Sequence, residues 1–270
     1  MSAYRFGFIG AGNMGGALAS AVCKAITPKE VVISDAAASK AEILAEELGC
    51  LCSDTDTVAE KARFIFLGVK PQVMEKVLKT ISPILAKRED RFILVTMAAG
   101  LKLSSIAEML GFDCPIIRIM PNTPVSVEKG MILYTYSDKV FMDEVGELCD
   151  GLKYAGRLDK IEEHLIDAAS AVSGCGPAFV YMFAESLADA GVECGLPRNK
   201  ALEYASQTLS GAAELLLTSG KHPGELKDTV CSPAGSTIAG VHALEENSFR
   251  GSVIKGVTAA FDRTKELGRK

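Results

Sequence analysis

The chain has 270 residues, of which 48% are hydrophobic, so it can bury a sizeable core without metals or crosslinks. A formal net charge of -5 and the lack of a basic run exclude nucleic acid as an expected partner. The length exceeds that of one typical domain and therefore predicts two domains.

The eight cysteines and three histidines show no Cys-x-x-Cys pair and no metal-ligand spacing. We expect reduced, mostly buried thiols and no protein-bound metal. The apolar run that ends at Ile9 is too short for a signal peptide, and no other run approaches the ~20 apolar residues of a membrane helix. We therefore expect a cytoplasmic protein with no membrane partner.

From residue 4 to about 158, short β-branched and aromatic runs alternate with helical patterns. This alternation predicts an α/β fold with a mostly parallel sheet and crossover helices. Lys40–Leu48 and Val73–Leu85 place apolar residues at three- and four-residue spacing, as helices that cover a sheet do. The predicted strands are Arg5–Ile9, Val31–Ser34, Phe64–Gly68, Phe92–Thr96 and Ile116–Met120, with a further pair near Ile132–Tyr136 and Ala155–Leu158 at the sheet edge.

After Asp159 the pattern changes to Ala- and Leu-rich helical stretches with no convincing strand. We therefore predict an α/β domain over residues 1–159, followed by an all-helical domain over residues 160–270. No internal repeat or low-complexity linker separates the two. A helical unit of this size is large enough to supply a dimer interface.

A G-x-G-x-x-G motif follows the first predicted strand and opens a helix, which is the context that makes the motif specific for a dinucleotide. Gly10 permits the tight turn, Gly12 lets a pyrophosphate approach the backbone, and Gly15 lets helix and strand pack closely. The alternative is an ordinary strand-to-helix turn. The predicted cofactor contacts in this loop are Gly10, Ala11, Gly12, Asn13, Met14 and Gly15.

The end of the second predicted strand gives a divided prediction of cofactor preference. Asp35 is placed to bond the ribose hydroxyls of NAD. Ser34, with Ser39 and Lys40 nearby, suits the 2′-phosphate of NADP, which Asp35 would repel. The simpler alternative is that Asp35 only helps the chain to turn.

Two further loops follow predicted strands at the edge where open α/β sheets bind ligands. They are Gly68–Pro71 and Met97–Gly100, and both also suit plain strand-to-helix connections. Small residues in the second would let a nicotinamide or ribose lie against the backbone. The predicted cofactor contacts here are Val69, Lys70, Pro71, Ala98 and Ala99.

Several longer motifs, in order and with matching spacing, closely resemble those of pyrroline-5-carboxylate reductases. They are Lys70–Pro71, Arg118–Pro124, Ser173–Phe179, His222–Asp228 and Ser232–Ile238. The resemblance covers nearly the whole chain and implies a Rossmann-type domain followed by a helical dimerisation domain. It also implies NADPH or NADH as cofactor, reduction of pyrroline-5-carboxylate to L-proline, and a homodimer that assembles into a larger ring such as a decamer.

The resemblance further implies that Thr237 is the catalytic residue that hydrogen-bonds the ring nitrogen and that Glu163 lies near the substrate. The other implied substrate contacts are Gly174, Pro177, Gly235 and Ser236. The sequence departs from the family pattern at Cys175, where serine is usual, and at Ala234, where glycine is usual. Asp35 weakens the family's expectation of NADPH use.

Reduction of a cyclic imine needs a hydride donor, a proton on nitrogen and a grip on the carboxylate. Ser232–Thr237 is expected to open into a helix whose first amides can hold a carboxylate, unless Ser232 or Ser236 is only a helix cap. No side chain forms a convincing general acid, so we expect the imine to arrive protonated. His222 is expected to cap a helix.

Two alternatives stay open at this level. One is a related two-domain reductase acting on another cyclic imine or on a carbonyl; carbonyl reductases of this kind use a helix lysine, which Ser173–Ala178 lacks. The other is a sensor that binds a dinucleotide without turnover, which the Ser232–Thr237 motif disfavours.

Overall fold

The computed structural model describes residues 2–267, and these form two compact units. One unit runs to Gly174 and also takes in Phe261–Leu267, and the other is Cys175–Ala260. Within the described residues the first unit holds one eight-stranded sheet. Its strands are β1 (Tyr4–Ile9), β2 (Val31–Ser34), β3 (Leu51–Cys52), β4 (Ala62–Leu67), β5 (Ile93–Thr96), β6 (Ile116–Met120), β7 (Gly130–Tyr136) and β8 (Gly156–Lys160).

The helices of the first unit connect these strands and are α1 (Asn13–Ala25), α2 (Ala38–Leu48), α3 (Thr55–Lys61), α4 (Pro71–Leu85), α5 (Leu103–Leu110), α6 (Met142–Gly151) and α7 (Ile166–Ser173). Short 3-10 helices lie at Pro28–Glu30, Thr123–Val127 and Glu163–Leu165. The later helices are α8 (Gly176–Glu193), α9 (Arg198–Ser219), α10 (Pro223–Val230), α11 (Ser236–Glu246) and α12 (Phe249–Leu267).

The strand order is β3-β2-β1-β4-β5-β6-β7-β8, and neighbouring strands are parallel except that β7 runs antiparallel to β6. The predicted mostly parallel sheet is therefore confirmed. The two-residue edge strand β3, with both residues exposed, carries too little apolar pattern to be found from the sequence.

Two apolar cores lie on the opposite faces of the sheet because successive side chains of a strand point to opposite sides. In β4, Phe64 and Phe66 belong to one core, whereas Ile65 and Leu67 belong to the other. Phe64 stacks on Phe6 with ring centroids 5.1 Å apart, which fixes the pairing of β4 with β1. These buried strands hold the loops at their carboxyl ends in place.

The first compact unit extends beyond the strands and includes α7. Ile166 and Ala171 of α7 are fully buried, and Asp167 forms an ion pair with Arg118 of β6. The sequence boundary at residues 159 and 160 marks the end of the strands, since β8 ends at Lys160. The compact unit instead ends where the contacts of α7 end, at Gly174.

The second unit consists of helices and has a small core. Ala188, Ala201 and Ala205 are its buried apolar residues, with Val192 packed against them where α8 meets α9. Many of its large apolar side chains are exposed, among them Tyr181, Met182, Leu217, Val230 and Ile254. Exposed apolar side chains of this kind are typical of surfaces that bind another protein chain.

Among the described residues, one helical stretch, Glu163–Glu193, is long and apolar enough to cross a membrane by length and composition alone. This stretch was not expected from the sequence, because it is not an uninterrupted apolar run. A single such stretch is weak support for a membrane span, because helices of soluble proteins have the same composition, and an exposed apolar helix equally suits a subunit interface.

All eight cysteines are free thiols, as expected, but the expectation that most are buried was wrong. Only Cys114 is fully buried, and this burial raises the pKa of its thiol to about 12. Cys52 and Cys194 are exposed, and the remaining five are partly exposed. Cys175, Cys194 and Cys231 lie at helix ends in the second unit, and Cys52 lies on the exposed edge strand β3.

Candidate functional site

The sheet has a topological switch point between β1 and β4. The chain passes outward from β1 through β2 to β3 and then returns to place β4 on the other side of β1. The loops after β1 and β4 therefore diverge and leave a crevice at the carboxyl edge, which is where open α/β sheets bind ligands. The predicted cofactor loops lie at this edge.

The glycine loop is built by close backbone approaches. Gly10 has a φ of +112°, and a Cβ there would lie 2.6 Å from the carbonyl oxygen of Gly68. A Cβ on Gly15 would lie 2.1 Å from the carbonyl oxygen of Gly10. The expected roles of Gly10 in the turn and Gly15 in close packing are thus borne out by the backbone geometry.

Gly12 differs from these two glycines because a Cβ there would meet no protein atom within 4 Å. It caps the amino terminus of α1 from an extended conformation, so the first-turn amides of Asn13 and Met14 have no partner within the helix. Space, free amides and a helix amino terminus together fit a pyrophosphate. These residues therefore suit the predicted dinucleotide.

An open cavity of about 520 Å³ lies at the crevice, within the ~300–1,000 Å³ typical of ligand sites. It brings together the loops after β1, β4, β5 and β6. Its lining residues are Gly12, Asn13, Met14, Gly68, Val69, Lys70, Met97, Met120 and Pro121. The predicted residues Gly12, Asn13, Met14, Val69 and Lys70 are therefore neighbours in space.

Met97, Met120 and Pro121 were not among the site residues predicted from the sequence. Met97 directly follows β5, and Met120 and Pro121 lie at the end of β6. Their positions after two predicted strands were the available signal. Met97 and Met120 give this part of the cavity an apolar wall, which suits a flat aromatic ring.

The other predicted residues of these loops lie around the cavity without lining it. Ala98 is buried, Ala99 is partly buried, and the amide of Ala98 donates to Thr96 Oγ1 at 3.4 Å. Pro71 begins α4. Lys70 is exposed, and within the described part of the chain its ammonium has no hydrogen-bond or ion-pair partner.

A second cavity of about 360 Å³ runs along α1 from the glycine loop. Ala11, Gly12 and Asn13 line its upper end, and Lys24 and Glu128, whose side chains are 2.7 Å apart, line its lower end. Ala11 thus borders this cavity and not the one at the switch point.

Asp35 and Ser34 have different environments at the end of β2. Asp35 is partly exposed, and its two carboxylate oxygens accept the amide hydrogens of Ala11 at 2.8 Å and Ala37 at 2.9 Å. Ser34 is buried, and its hydroxyl donates to the carbonyl oxygen of Phe8 at 3.3 Å. Its side chain is therefore not available to a 2′-phosphate at the surface, because the hydroxyl points into the sheet.

Glu163 belongs to a charged cluster around the buried side chain of Arg118, and its own side chain is partly exposed. Its Oε1 accepts the backbone amide of Leu103 at 2.7 Å and a guanidinium hydrogen of Arg118 at 3.3 Å. The second terminal nitrogen of Arg118 lies 3.1 Å from Asp167 Oδ1. The carboxylate that we expected near the substrate is thus already engaged with the protein.

Asn122, in the loop after β6, links that loop to the end of α7 and to β7. Its Nδ2 donates to the carbonyl oxygen of Ser173 at 2.9 Å, and its Oδ1 accepts the amide of Met131 at 2.8 Å. The residues after Ser173 keep helical backbone, since Gly174 and Cys175 both have right-handed conformations before α8 begins with Gly176 and Pro177. The interruption between α7 and α8 is therefore only two residues long.

In the second unit, the Ser232–Thr237 segment forms a loop that opens into α11 as predicted. Gly235 is the N-cap, and no side chain caps the helix, so neither Ser232 nor Ser236 acts as a serine cap. Ser236 and Thr237 lie exposed in the first turn, and no described residue bonds the Thr237 hydroxyl. The amides and hydroxyl of this turn are free to bind a small anion or amine.

Ala234, where the family usually has glycine, has a φ of +59°. An alanine in this left-handed region costs roughly 1–2 kcal/mol relative to the right-handed conformation. The loop keeps its conformation despite the substitution. His222 caps α10 by accepting the amide of Gly224 on Nδ1 at 3.1 Å, which confirms its expected structural role.

Comparisons with known proteins agree over both units. Residues 163–267 match the family model described as pyrroline-5-carboxylate reductase dimerisation, and residues 5–100 match that described as NADP oxidoreductase coenzyme F420-dependent. The chain is 37% identical to the pyrroline-5-carboxylate reductase of Escherichia coli (strain K12), over 98% of each protein. It is also 37% identical to the Pisum sativum enzyme, over 98% of this chain and 96% of that protein.

Solved structures give the same result. The pyrroline carboxylate reductase of Plasmodium falciparum, with NADP bound, superimposes with a TM-score of 0.87 at 33% identity and covers 99% of each chain. The pyrroline-5-carboxylate reductase of Coxiella burnetii superimposes with a TM-score of 0.89 at 28% identity over both whole chains. With identities well above 30% over almost its entire length, the chain belongs to the pyrroline-5-carboxylate reductase family.

Proposed function

We propose that this protein reduces pyrroline-5-carboxylate to L-proline, the last step of proline biosynthesis, with NADPH or NADH as the reductant. The observation that carries the proposal is the glycine loop, with open space at Gly12 and free amides on α1, at a cavity of about 520 Å³. The same chain carries the exposed first turn of α11 with the free Thr237 hydroxyl. Membership of the pyrroline-5-carboxylate reductase family supports a single reaction that uses both the glycine loop and the first turn of α11.

The residues of the glycine loop and the carboxyl edge would hold the dinucleotide. The amides of Asn13 and Met14 are uncapped at the start of α1 beside the cavity, and Lys70 offers a free ammonium for a phosphate or ribose oxygen. Met97 and Met120 supply an apolar wall against which the nicotinamide would lie. When bound, the reduced nicotinamide supplies the hydride.

Thr237 is proposed to hydrogen-bond the ring nitrogen of the substrate, while the amides at the start of α11 hold its carboxylate. Gly235 and Ser236 contribute backbone at this turn, and Gly174 and Pro177 bring helix ends to the substrate. In this proposal Glu163 serves the substrate site while it stays hydrogen-bonded to the Leu103 amide and to Arg118. No acid residue is assigned, because a cyclic imine is basic enough to arrive protonated.

We further propose that the protein is a homodimer that assembles into a larger ring, such as a decamer. The match to a dimerisation model over residues 163–267 supports this, as do exposed apolar side chains such as Met182 and Leu217. Light scattering coupled to size-exclusion chromatography measures the assembly. A cytoplasmic location is part of the same proposal, and cell fractionation tests it.

The deciding experiment follows NADH and NADPH oxidation by purified protein with pyrroline-5-carboxylate, with its six-membered-ring analogue and with a 2-keto acid. Turnover that is fastest with the five-membered imine supports the proposal. Faster turnover of the larger ring or of the carbonyl compound would reassign the substrate. Dinucleotide binding without turnover of any of the three would identify a sensor.

A further inference from the structure

Arg118 is a charged residue in the interior of an otherwise apolar strand. It lies in β6 between Ile117 and Ile119, and its side chain is only 2% exposed. Its two terminal nitrogens contact Glu163 and Asp167, and no described residue accepts a hydrogen bond from its Nε. A buried guanidinium that leaves one donor unpaired adds little stability by itself, which points to another role for Arg118.

The two carboxylates that contact Arg118 extend the cluster to neighbouring elements. Glu163 also accepts the amide of Leu103, the first residue of α5, at 2.7 Å. This bond satisfies an amide that the helix itself cannot satisfy and fixes the start of α5. Asp167 lies in the first turn of α7, where a carboxylate favours the helix amino terminus.

The elements joined in this way carry the apolar wall of the cavity. The loop that begins with Met97 ends at Leu103, whose amide Glu163 holds. Met120 and Pro121 lie two and three residues beyond Arg118 on the same strand and its following loop. Through Glu163, the guanidinium therefore connects the loops after β5 and β6, and it is not among the residues that line the cavity.

We propose that Arg118 is a positioning residue that holds the Met97 and Met120 wall in the place where the nicotinamide ring must lie. This inference rests on the proposed reductase function. Because a guanidinium is planar and has several donors, it can hold both carboxylates at once, which a lysine ammonium at the end of a flexible chain does poorly. Loss of the guanidinium would let the wall shift while the glycine loop, on β1 and α1, stays unchanged.

The experiment compares Arg118→Lys with Arg88→Lys as a matched control. The side chain of Arg88 is also buried, at 4% exposed, and forms an ion pair with Asp90, but it bonds the carbonyl oxygens of Ala59 in α3 and of Ala62 at the start of β4. It lies at the opposite edge of the sheet from the cavity. The two substitutions therefore disturb comparable buried guanidinium groups at different distances from the site.

Three quantities are measured for each variant besides thermal unfolding: kcat, the isotope effect with dinucleotide deuterated at the transferred position, and dissociation constants. The constants are determined for NADPH and NADH and for 2′-phospho-ADP-ribose and ADP-ribose, the fragments that lack nicotinamide. We expect Arg118→Lys to lower kcat at least about tenfold and to raise the isotope effect, because a misplaced ring slows hydride transfer. The dissociation constants of the fragments should stay within about twofold of the wild-type values. The factor by which the whole dinucleotide binds more tightly than its fragment should fall.

Arg88→Lys should reduce thermal stability and leave the isotope effect and the binding advantage as in the wild type. If Arg118→Lys behaves in the same way, Arg118 only stabilises the fold and the proposal is overturned. Asp167→Asn, a milder change at a carboxylate 27% exposed, should shift the same quantities in the same direction if Arg118→Lys does not fold. If the wild-type protein shows no turnover, the reductase function is rejected. The comparison of dinucleotide and fragment dissociation constants between wild type and Arg118→Lys would still decide the role of Arg118.

Discussion

Asp35 accepts the backbone amide of Ala11 on Oδ2 at 2.8 Å, and so connects the end of β2 to the glycine loop. Its Oδ1 accepts the amide of Ala37 at 2.9 Å. Each carboxylate oxygen can accept more than one hydrogen bond, so both still have capacity for a ribose hydroxyl. The residue therefore combines the turn-forming role with a negative charge beside the expected adenosine ribose.

We predict that NADH is at least as good a cofactor as NADPH and that Asp35→Ser shifts the preference toward NADPH. The carboxylate bonds the ribose hydroxyls of NADH and repels a 2′-phosphate. Removing it should change the ratio of the two kcat/KM values by about tenfold, which corresponds to ~1.4 kcal/mol. Initial rates with both cofactors measure this ratio.

Asp35→Asn separates the charge from the hydrogen bond to Ala11, since the amide oxygen can still accept that bond. It should shift the preference almost as far as Asp35→Ser while it preserves thermal stability better. A wild-type protein that already prefers NADPH strongly would show that Asp35 serves only the loop. Ser34→Ala should leave the preference unchanged, because Ser34 is buried and bonds Phe8.

The glycine loop gives a second prediction, in which one substitution impairs both folding and dinucleotide binding and another impairs binding alone. Gly15→Ala places a Cβ 2.1 Å from the backbone oxygen of Gly10, so the loop must move and the protein should lose both stability and dinucleotide binding. Gly12→Ala meets no protein atom within 4 Å. It should fold normally and bind the dinucleotide at least about tenfold more weakly, because its methyl group occupies the space for the pyrophosphate.

Thermal unfolding and titration with NADPH and NADH measure the two effects. Gly146→Ala is a suitable control, because it lies within α6 and a Cβ there also meets no protein atom within 4 Å. Unimpaired binding by Gly12→Ala would mean that the dinucleotide does not cross the loop at Gly12.

The glycine loop and the strands around it could be predicted because their signals are local. The G-x-G-x-x-G spacing and the apolar runs identify β1, β4 and β5 without knowledge of their neighbours in space. The lining by Met97, Met120 and Pro121 depends on β5 and β6 being adjacent in the sheet, which a single sequence does not specify. The location of each loop was therefore easier to predict than the composition of the cavity.

The environment of individual polar side chains could not be predicted. An arginine in the strand Ile116–Met120 suggests an exposed position, but the Arg118 side chain is only 2% exposed and pairs with Glu163 and Asp167. The partners of Arg118 lie 45 and 49 residues later in the chain, in segments with no distinctive pattern. For the same reason Glu163 was expected near the substrate from resemblance alone, and its bonds to Leu103 and Arg118 became apparent only in the fold.

A third prediction concerns acid stability at the amino edge of the sheet. Hydrogen bonds from Arg88 lower the pKa of Asp90 to about 2, from an ordinary value of 3.8, with a smaller contribution from the Ser2 hydroxyl. A pKa that is lowered on folding stabilises the folded state above pH ~4, and this stabilisation is lost as the pH falls toward 2. Asp90→Asn should therefore cost about 1 kcal/mol at neutral pH, a value reduced to allow for solvent screening.

Urea unfolding from neutral pH downward measures this effect. The difference in unfolding free energy between wild type and Asp90→Asn should shrink as the pH falls below ~4. Glu89→Gln is the control, because Glu89 is exposed and pairs with no described residue. A difference that does not depend on pH would show that Asp90 acts through its shape and not through its charge.

The last prediction concerns the Thr237 hydroxyl, which is exposed in the first turn of α11 and bonded to no described residue. Thr237→Ala should slow turnover of pyrroline-5-carboxylate and leave cofactor affinity nearly unchanged. One lost hydrogen bond to a charged partner is worth about 1.5 to 3 kcal/mol. If that bond matters mainly in the transition state, kcat falls roughly tenfold to hundredfold. Steady-state rates and dinucleotide titration measure the two quantities.

Thr237→Ser keeps the hydroxyl and should restore most of the turnover, which separates hydrogen bonding from packing. Thr218→Ala is a matched control, because the Thr218 hydroxyl is already bonded to the carbonyl oxygen of Glu214 at 2.8 Å within α9. It should turn over the imine like the wild type. Near-normal turnover by Thr237→Ala would mean that the hydroxyl does not serve the ring nitrogen. A collapse of cofactor affinity in the same variant would instead assign the first turn of α11 to the dinucleotide.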